Sequence, residues 1–106
     1  MSFLNLAKLK ENEPVPGFKV RCVHSENMTI AYWEIKADSA LPAHSHLHEQ
    51  VTSIIEGEFE LSINGKTNLM RPNTAAIIPS NALHAGRAMS DCRIIDVFNP
   101  VREDYR

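Results

Sequence analysis

PAHSHLHEQVTSIIEGEFELSING, running from Pro42 to Gly65, holds two patterns back to back. The first is a run of imidazoles at alternate positions, His44, His46 and His48, followed by Glu49 and Gln50. The second is Phe59-Glu60-Leu61-Ser62-Ile63, which alternates apolar and polar and then meets Asn64-Gly65. Asn-Gly is the strongest short-range hairpin signal, because a type I′ turn needs positive φ at both central residues. The second half therefore reads as a strand entering a hairpin.

Working outward, the same alternation recurs. Phe18–His24, Met28–Lys36, Glu49–Ile55, Thr74–Ile78, Leu83–Ala88 and Cys92–Phe98 read as short strands separated by turn residues. Evenly spaced short strands imply an all-β sandwich or barrel, and no sustained 3.6 period supports helices. The first dozen residues are expected to form one loose helical turn, Phe3 to Lys10, which Pro14 and Pro16 stop. With 106 residues, one domain is expected across 1–106, with a barrel over 18–99 and a tail over 100–106.

Composition excludes several functions. A net charge of −2 lacks the basic footprint of a nucleic-acid binder. No apolar run is long enough for a membrane span, and the start lacks a secretory pattern, so a cytoplasmic location is expected. Cys22 and Cys92 stand far apart without metal-site spacing and read as reduced, partly buried thiols.

On an extended segment residues two apart share a face. His44, His46, His48 and Gln50 therefore begin on one face, and Glu49 on the other. Two imidazoles at i and i+2 can converge on one ion, and His84, on a separate strand, is a further candidate ligand. Its same-face neighbours Gly86 and Ala88 are small and are expected to leave room for a ligand. Imidazoles suit zinc, nickel, iron or manganese.

The two histidine regions resemble the two motifs of the cupins. Asp38, His44, His46, Gln50 and Gly57 match the spacing of the first, and Asn73, Pro79, Asn81 and His84 that of the second. Asp38, Asn73 and Asn81 replace glycines, and these residue types best tolerate the positive φ that glycine supplies. The resemblance covers residues 28–106 and implies a double-stranded β-helix, the RmlC-like jelly-roll barrel. It also implies a ligand set of His44, His46, Gln50 and His84 for one divalent transition metal, with His48 outside that set. An amide in place of a carboxylate leaves the ion its full charge, which favours anionic oxygen ligands.

The C-terminal strand, Cys92-Arg-Ile-Ile-Asp-Val-Phe98, puts Asp96 between Ile94 and Phe98 on one face. A carboxylate among apolar neighbours is a candidate acid or base. The alternative is a structural aspartate bonding loop amides or an arginine. Pro100 should end the strand, and Arg102 then lies on a tail able to fold back over the barrel mouth. The run Asp96, Phe98, Pro100, Arg102, Asp104, Tyr105 is similar to the tail of the small cupins of pectin and alginate degradation, the KdgF type. That resemblance implies conversion of 4,5-unsaturated monouronates to linear 5-keto-4-deoxyuronates, with Asp96, Phe98 and Arg102 flanking the metal. The expected partner is a small anionic carbohydrate-derived substrate, and the expected assembly a homodimer through Phe3, Leu4, Leu6 and Leu9. Other readings of the same barrel are a metal-dependent dioxygenase or isomerase, and a non-catalytic sugar- or acid-binding module.

Overall fold

A computed structural model describes residues 2–106. Its ten strands are β1 (Asn12–Val15), β2 (Phe18–His24), β3 (Thr29–Ile35), β4 (Ala40–His44), β5 (Glu49–Glu56), β6 (Phe59–Ile63), β7 (Lys66–Met70), β8 (Ala75–Ile78), β9 (His84–Ala88) and β10 (Cys92–Asn99). They form two antiparallel sheets, one ordered β1-β2-β3-β10-β5-β8 and the other β4-β9-β6-β7. This is the all-β architecture expected from the strand spacing, in the jelly-roll form that the cupin resemblance implies. No helix among the described residues is long and apolar enough to cross a membrane.

Turn chemistry sets the registers. Ile63 pairs with Lys66, so Asn64 and Gly65 alone make the β6–β7 turn, both at positive φ (49° and 82°). Asp38, Asn73 and Asn81 adopt φ of 69°, 68° and 64°, the conformation argued for the glycines they replace. Pro16-Gly17 turns β1 into β2, with Gly17 at φ 84°. A proline followed by a positive-φ glycine is the pattern of a type II turn.

The N-terminal segment departs from expectation. Its helical turn shrinks to a 3-10 turn, Leu6–Lys8, capped by Asn5 Oδ1 accepting from the Ala7 amide at 3.0 Å. Pro14 lies inside β1 instead of merely stopping a helix. It is tolerated because β1 is the edge of its sheet, where a strand residue need not donate outward. The histidine stretch is also not one extended segment: β4 ends at His44 and β5 begins at Glu49, with irregular chain between them.

Alternation separates the two faces of β10. Cys92, Ile94, Asp96 and Phe98 are buried, whereas Arg93, Ile95 and Val97 face outward. The core between the sheets joins Phe18, Val20, Trp33 and Ile35 to Ile54, Phe59, Leu61 and Ile94. Phe18 meets the rings of Trp33 and Phe59 edge-on, at 6.0 and 6.3 Å between centroids. Gly86 does not leave room for a ligand. A side chain there would collide with the Phe59 ring, so core packing claims the space, and Ala88 is likewise wholly buried in the core.

Candidate metal centre and adjoining cavity

Strand register gathers the candidate residues at one end of the barrel. His44 closes β4 opposite His84, which opens β9. Phe98, near the end of β10, lies opposite both Thr29 at the start of β3 and Gln50 at the start of β5. His46 follows β4 in the irregular chain. That loop is held by the Asn81 amide, which donates to the His46 carbonyl at 2.8 Å, and by the Ser80 hydroxyl on the Leu47 carbonyl.

His44, His46 and His84 each present one ring nitrogen, all within 4.8 Å of one another. Their other nitrogens are tied to backbone carbonyls. His44 Nδ1 bonds the Pro42 oxygen at 2.8 Å, His84 Nδ1 the Ala82 oxygen at 2.9 Å, and His46 Nδ1 the His48 oxygen at 3.0 Å. A carbonyl can only accept, so each Nδ1 carries a proton, and in the neutral ring the lone pair then sits on Nε2. This is the tautomer that a metal needs, and the bonds also fix ring orientation. His46 Nε2 is buried with no hydrogen-bond partner in the protein.

Electrostatics agrees with that assignment. Burial, then the Arg102 guanidinium and His84, push His46 down to about 4. Burial chiefly lowers His84 as well. The imidazoles of His46 and His84 are therefore neutral at pH 7. Three convergent imidazoles, each held at Nδ1 by a backbone carbonyl, fit a divalent transition metal.

Gln50 is buried and lines the same cavity. Its Nε2 donates to Thr52 Oγ1 at 2.9 Å, which leaves its Oε1 available. His48 does not join the cluster. Its Nε2 donates to the Val101 carbonyl at 3.2 Å, and its ring packs edge-on to His46 and Phe98. His48 thus fastens the tail beside the cluster.

The tail folds back as expected. The Arg102 amide donates to Thr29 Oγ1 at 2.9 Å, and its guanidinium lies over Phe98 and Tyr105, 4.6 and 4.1 Å from their centroids. Nε and Nη2 donate to the two Asp104 oxygens at 2.9 and 2.7 Å. One edge of the guanidinium fork is therefore already engaged, which leaves Nη1 and the remaining Nη2 hydrogen for a ligand. Burial opposes the charge on Arg102, but its bonds to Asp104 and its place beside Tyr105 outweigh that and raise its pKa.

Asp96 lies on the inner face beside these groups. Burial pushes it up to about 6, against the opposing pull of Thr52, Gln50, Trp33 and Arg102. Its Oδ1 is buried without a hydrogen-bond partner. A cavity of about 80 Å³, open at the mouth, is lined by the three histidines, Gln50, Asp96, Phe98 and Arg102 together. Trp33, Thr52 and Tyr105 line it too, and Asp104 holds its arginine; Trp33 and Thr52 are not among the candidates the sequence offers. Strand parity places Thr52 on the face of Gln50, whereas no candidate residue on β3 marks Trp33.

Residues 31–98 match the cupin domain family. The pectin degradation protein KdgF of Dickeya dadantii (strain 3937) is 28% identical over 64 residues, 58% of this chain and 58% of that protein. The matched stretch thus spans less than two thirds of that relative. KdgF from Halomonas sp. superposes with a TM-score of 0.92 at 23% identity, covering 100% of this chain and 99% of that one. An RmlC-like cupin from Shewanella frigidimarina NCIMB 400 gives 0.93 at 20% identity, covering 100% and 96%. At such identities the structural likeness speaks for the fold. The family match extends from β3 to β10 and takes in both histidine regions of the candidate metal centre, and on that basis the chain belongs to the cupin domain family.

Proposed function

We propose that the protein opens the ring of 4,5-unsaturated monouronates and yields linear 5-keto-4-deoxyuronates. One observation carries this reading: a three-histidine cluster, a buried carboxylic acid and a buried arginine line one cavity. Similarity to the pectin degradation protein of Dickeya dadantii supports the substrate class.

His44, His46 and His84, with Gln50 as fourth donor, would hold a divalent transition metal such as zinc, nickel, iron or manganese. Such an ion supplies Lewis-acid polarisation of oxygen. The chain's own residues do the rest. The free end of the Arg102 guanidinium takes the substrate carboxylate, and Asp104 holds that guanidinium in place. Asp96 accepts the proton of the C1 hydroxyl as the C1–O5 bond breaks, which leaves an aldehyde at C1 and an enolate at C5. Asp96 then returns a proton to C4 as the enolate becomes a ketone. One proton leaves and one is delivered, with no change in oxidation state. An acid titrating near 6 suits both steps, because each protonation form is accessible near neutral pH. Phe98 walls the cavity and limits water.

Incubation with the unsaturated galacturonate, followed by loss of ultraviolet absorbance from the conjugated alkene acid, tests the proposal. A metal-loaded protein that gives no acceleration over the spontaneous rate refutes it.

The assembly proposed is a homodimer. The outward face of the larger sheet carries an in-register apolar row, Val23, Ile30, Val97, Val51 and Ile77, across five strands. Phe3, 90% exposed, and Leu4, 56% exposed, stand largely open to solvent. A second copy would cover both.

A further inference from the structure

Besides His46 Nε2, two polar atoms of cavity-lining residues lack a hydrogen-bond partner within the protein. Trp33 Nε1 and Asp96 Oδ1 are both buried and make no hydrogen bond. Their residues are 8% and 7% exposed. Trp33 pairs with Ile94 and Asp96 with Ala31, so the two are diagonal neighbours on the inner face of β3 and β10. The indole lies near enough to favour the carboxylate's charge, yet no bond closes between them.

An indole N–H can only donate, and an ionised carboxylate can only accept. We propose that Trp33 and Asp96 form a subsite for a neutral hydroxyl, which accepts from Trp33 Nε1 and donates to Asp96 Oδ1. The pair discriminates by charge as well as by bonding. A second carboxylate could not donate to Asp96 and would be repelled by it. An ammonium could not accept from the indole. Buried donors and acceptors left unpaired are costly, so a ligand lacking the hydroxyl should be rejected strongly. Arg102 lines the same cavity and takes the anionic end. The site therefore fits a hydroxylated acid whose hydroxyl stands apart from its carboxylate, with Phe18, Ile94 and Phe98 as apolar walls. The inference deepens the proposed function by naming the group that reads a sugar hydroxyl, and it rests on the same cavity being the ligand site.

The chain has one tryptophan, so the ¹⁵N-labelled protein gives a single indole N–H resonance. Zinc-loaded protein is titrated with D-galacturonate and, separately, with acetate. Galacturonate should move the indole resonance and slow its hydrogen exchange, and acetate should do neither. Trp33→Phe keeps an aromatic ring, removes the donor and should weaken galacturonate binding by about tenfold while leaving acetate unchanged. An indole resonance that ignores galacturonate overturns the subsite, as does a Phe variant that binds both ligands like the parent. If that variant fails to fold, the resonance of the unaltered protein decides alone. Turnover of the unsaturated uronate is measured in parallel. A shifted resonance without turnover removes the reaction and keeps the subsite; turnover without a shift does the reverse.

Discussion

Replacing Asp96 with asparagine should abolish turnover and, above pH 6, make the metal-stripped protein more stable. An aspartate in an unfolded chain titrates near 3.9. Burial in the cavity raises Asp96 to about 6. The folded protein thus binds this proton more tightly than the unfolded chain does. Below about pH 3.9 both states are protonated, and the group contributes no difference. As pH rises between the two values the fold loses stability, and above about 6 the full penalty applies. Two pKa units correspond to about 3 kcal/mol at 1.36 kcal/mol per unit. The Asp96→Asn side chain keeps the shape and never ionises, so it escapes this penalty. Its buried amide adds an unmade donor worth about 1–2 kcal/mol, but that loss is the same at every pH. The diagnostic is therefore the slope. Urea unfolding of parent and variant, in pH steps from 4 to 8 with chelator present, should show the variant gaining about 3 kcal/mol on the parent, mostly between pH 4 and 6.5. A stability difference that is flat across that range would falsify the account of Asp96 as an acid held near 6 by burial.

Loading the stripped protein with zinc should raise its melting temperature, with about 2.7 kcal/mol gained at a hundredfold excess over Kd, and His84→Ala should remove most of that response in the same calorimetric scan. Asp104→Asn frees the guanidinium of Arg102 and should raise KM for the uronate several-fold with a smaller change in kcat; an effect confined to kcat refutes Asp104 as a positioning residue. Gly86→Ala forces a methyl into the Phe59 ring and should destabilise by about 1–3 kcal/mol in urea. Ile77→Lys, on the exposed edge of the apolar row, should convert a dimer to a monomer by sedimentation equilibrium, and a parent protein that is already monomeric refutes the proposed assembly.

Alternation, Asn64-Gly65 and the motif spacing were enough to read an all-β barrel and the strands that hold its core, because strand period and turn chemistry are local properties. The positive φ of Asp38, Asn73 and Asn81 was legible for the same reason: a backbone conformation selects its residue type. Asp96 on an apolar face was visible too, since parity along β10 places it between Ile94 and Phe98. What parity could not do was separate His48 from His44 and His46. That difference arises because the chain leaves β4 at His44, and hydrogen bonds to the carbonyls of Pro42, His48 and Val101 then aim the rings of His44, His46 and His48 separately. Small residues beside His84 suggested an open space, but Phe59, from another strand, fills it at Gly86. The engagement of Arg102 by Asp104, and the meeting of Trp33 with Asp96, likewise depend on how the tail and two neighbouring strands pack. The amino-acid sequence by itself determined the barrel, its turns and the candidate residues, through short-range rules of period and conformation. Only the tertiary structure decided which lone pairs stay free and which charges are buried, because those depend on side chains brought together from distant parts of the chain.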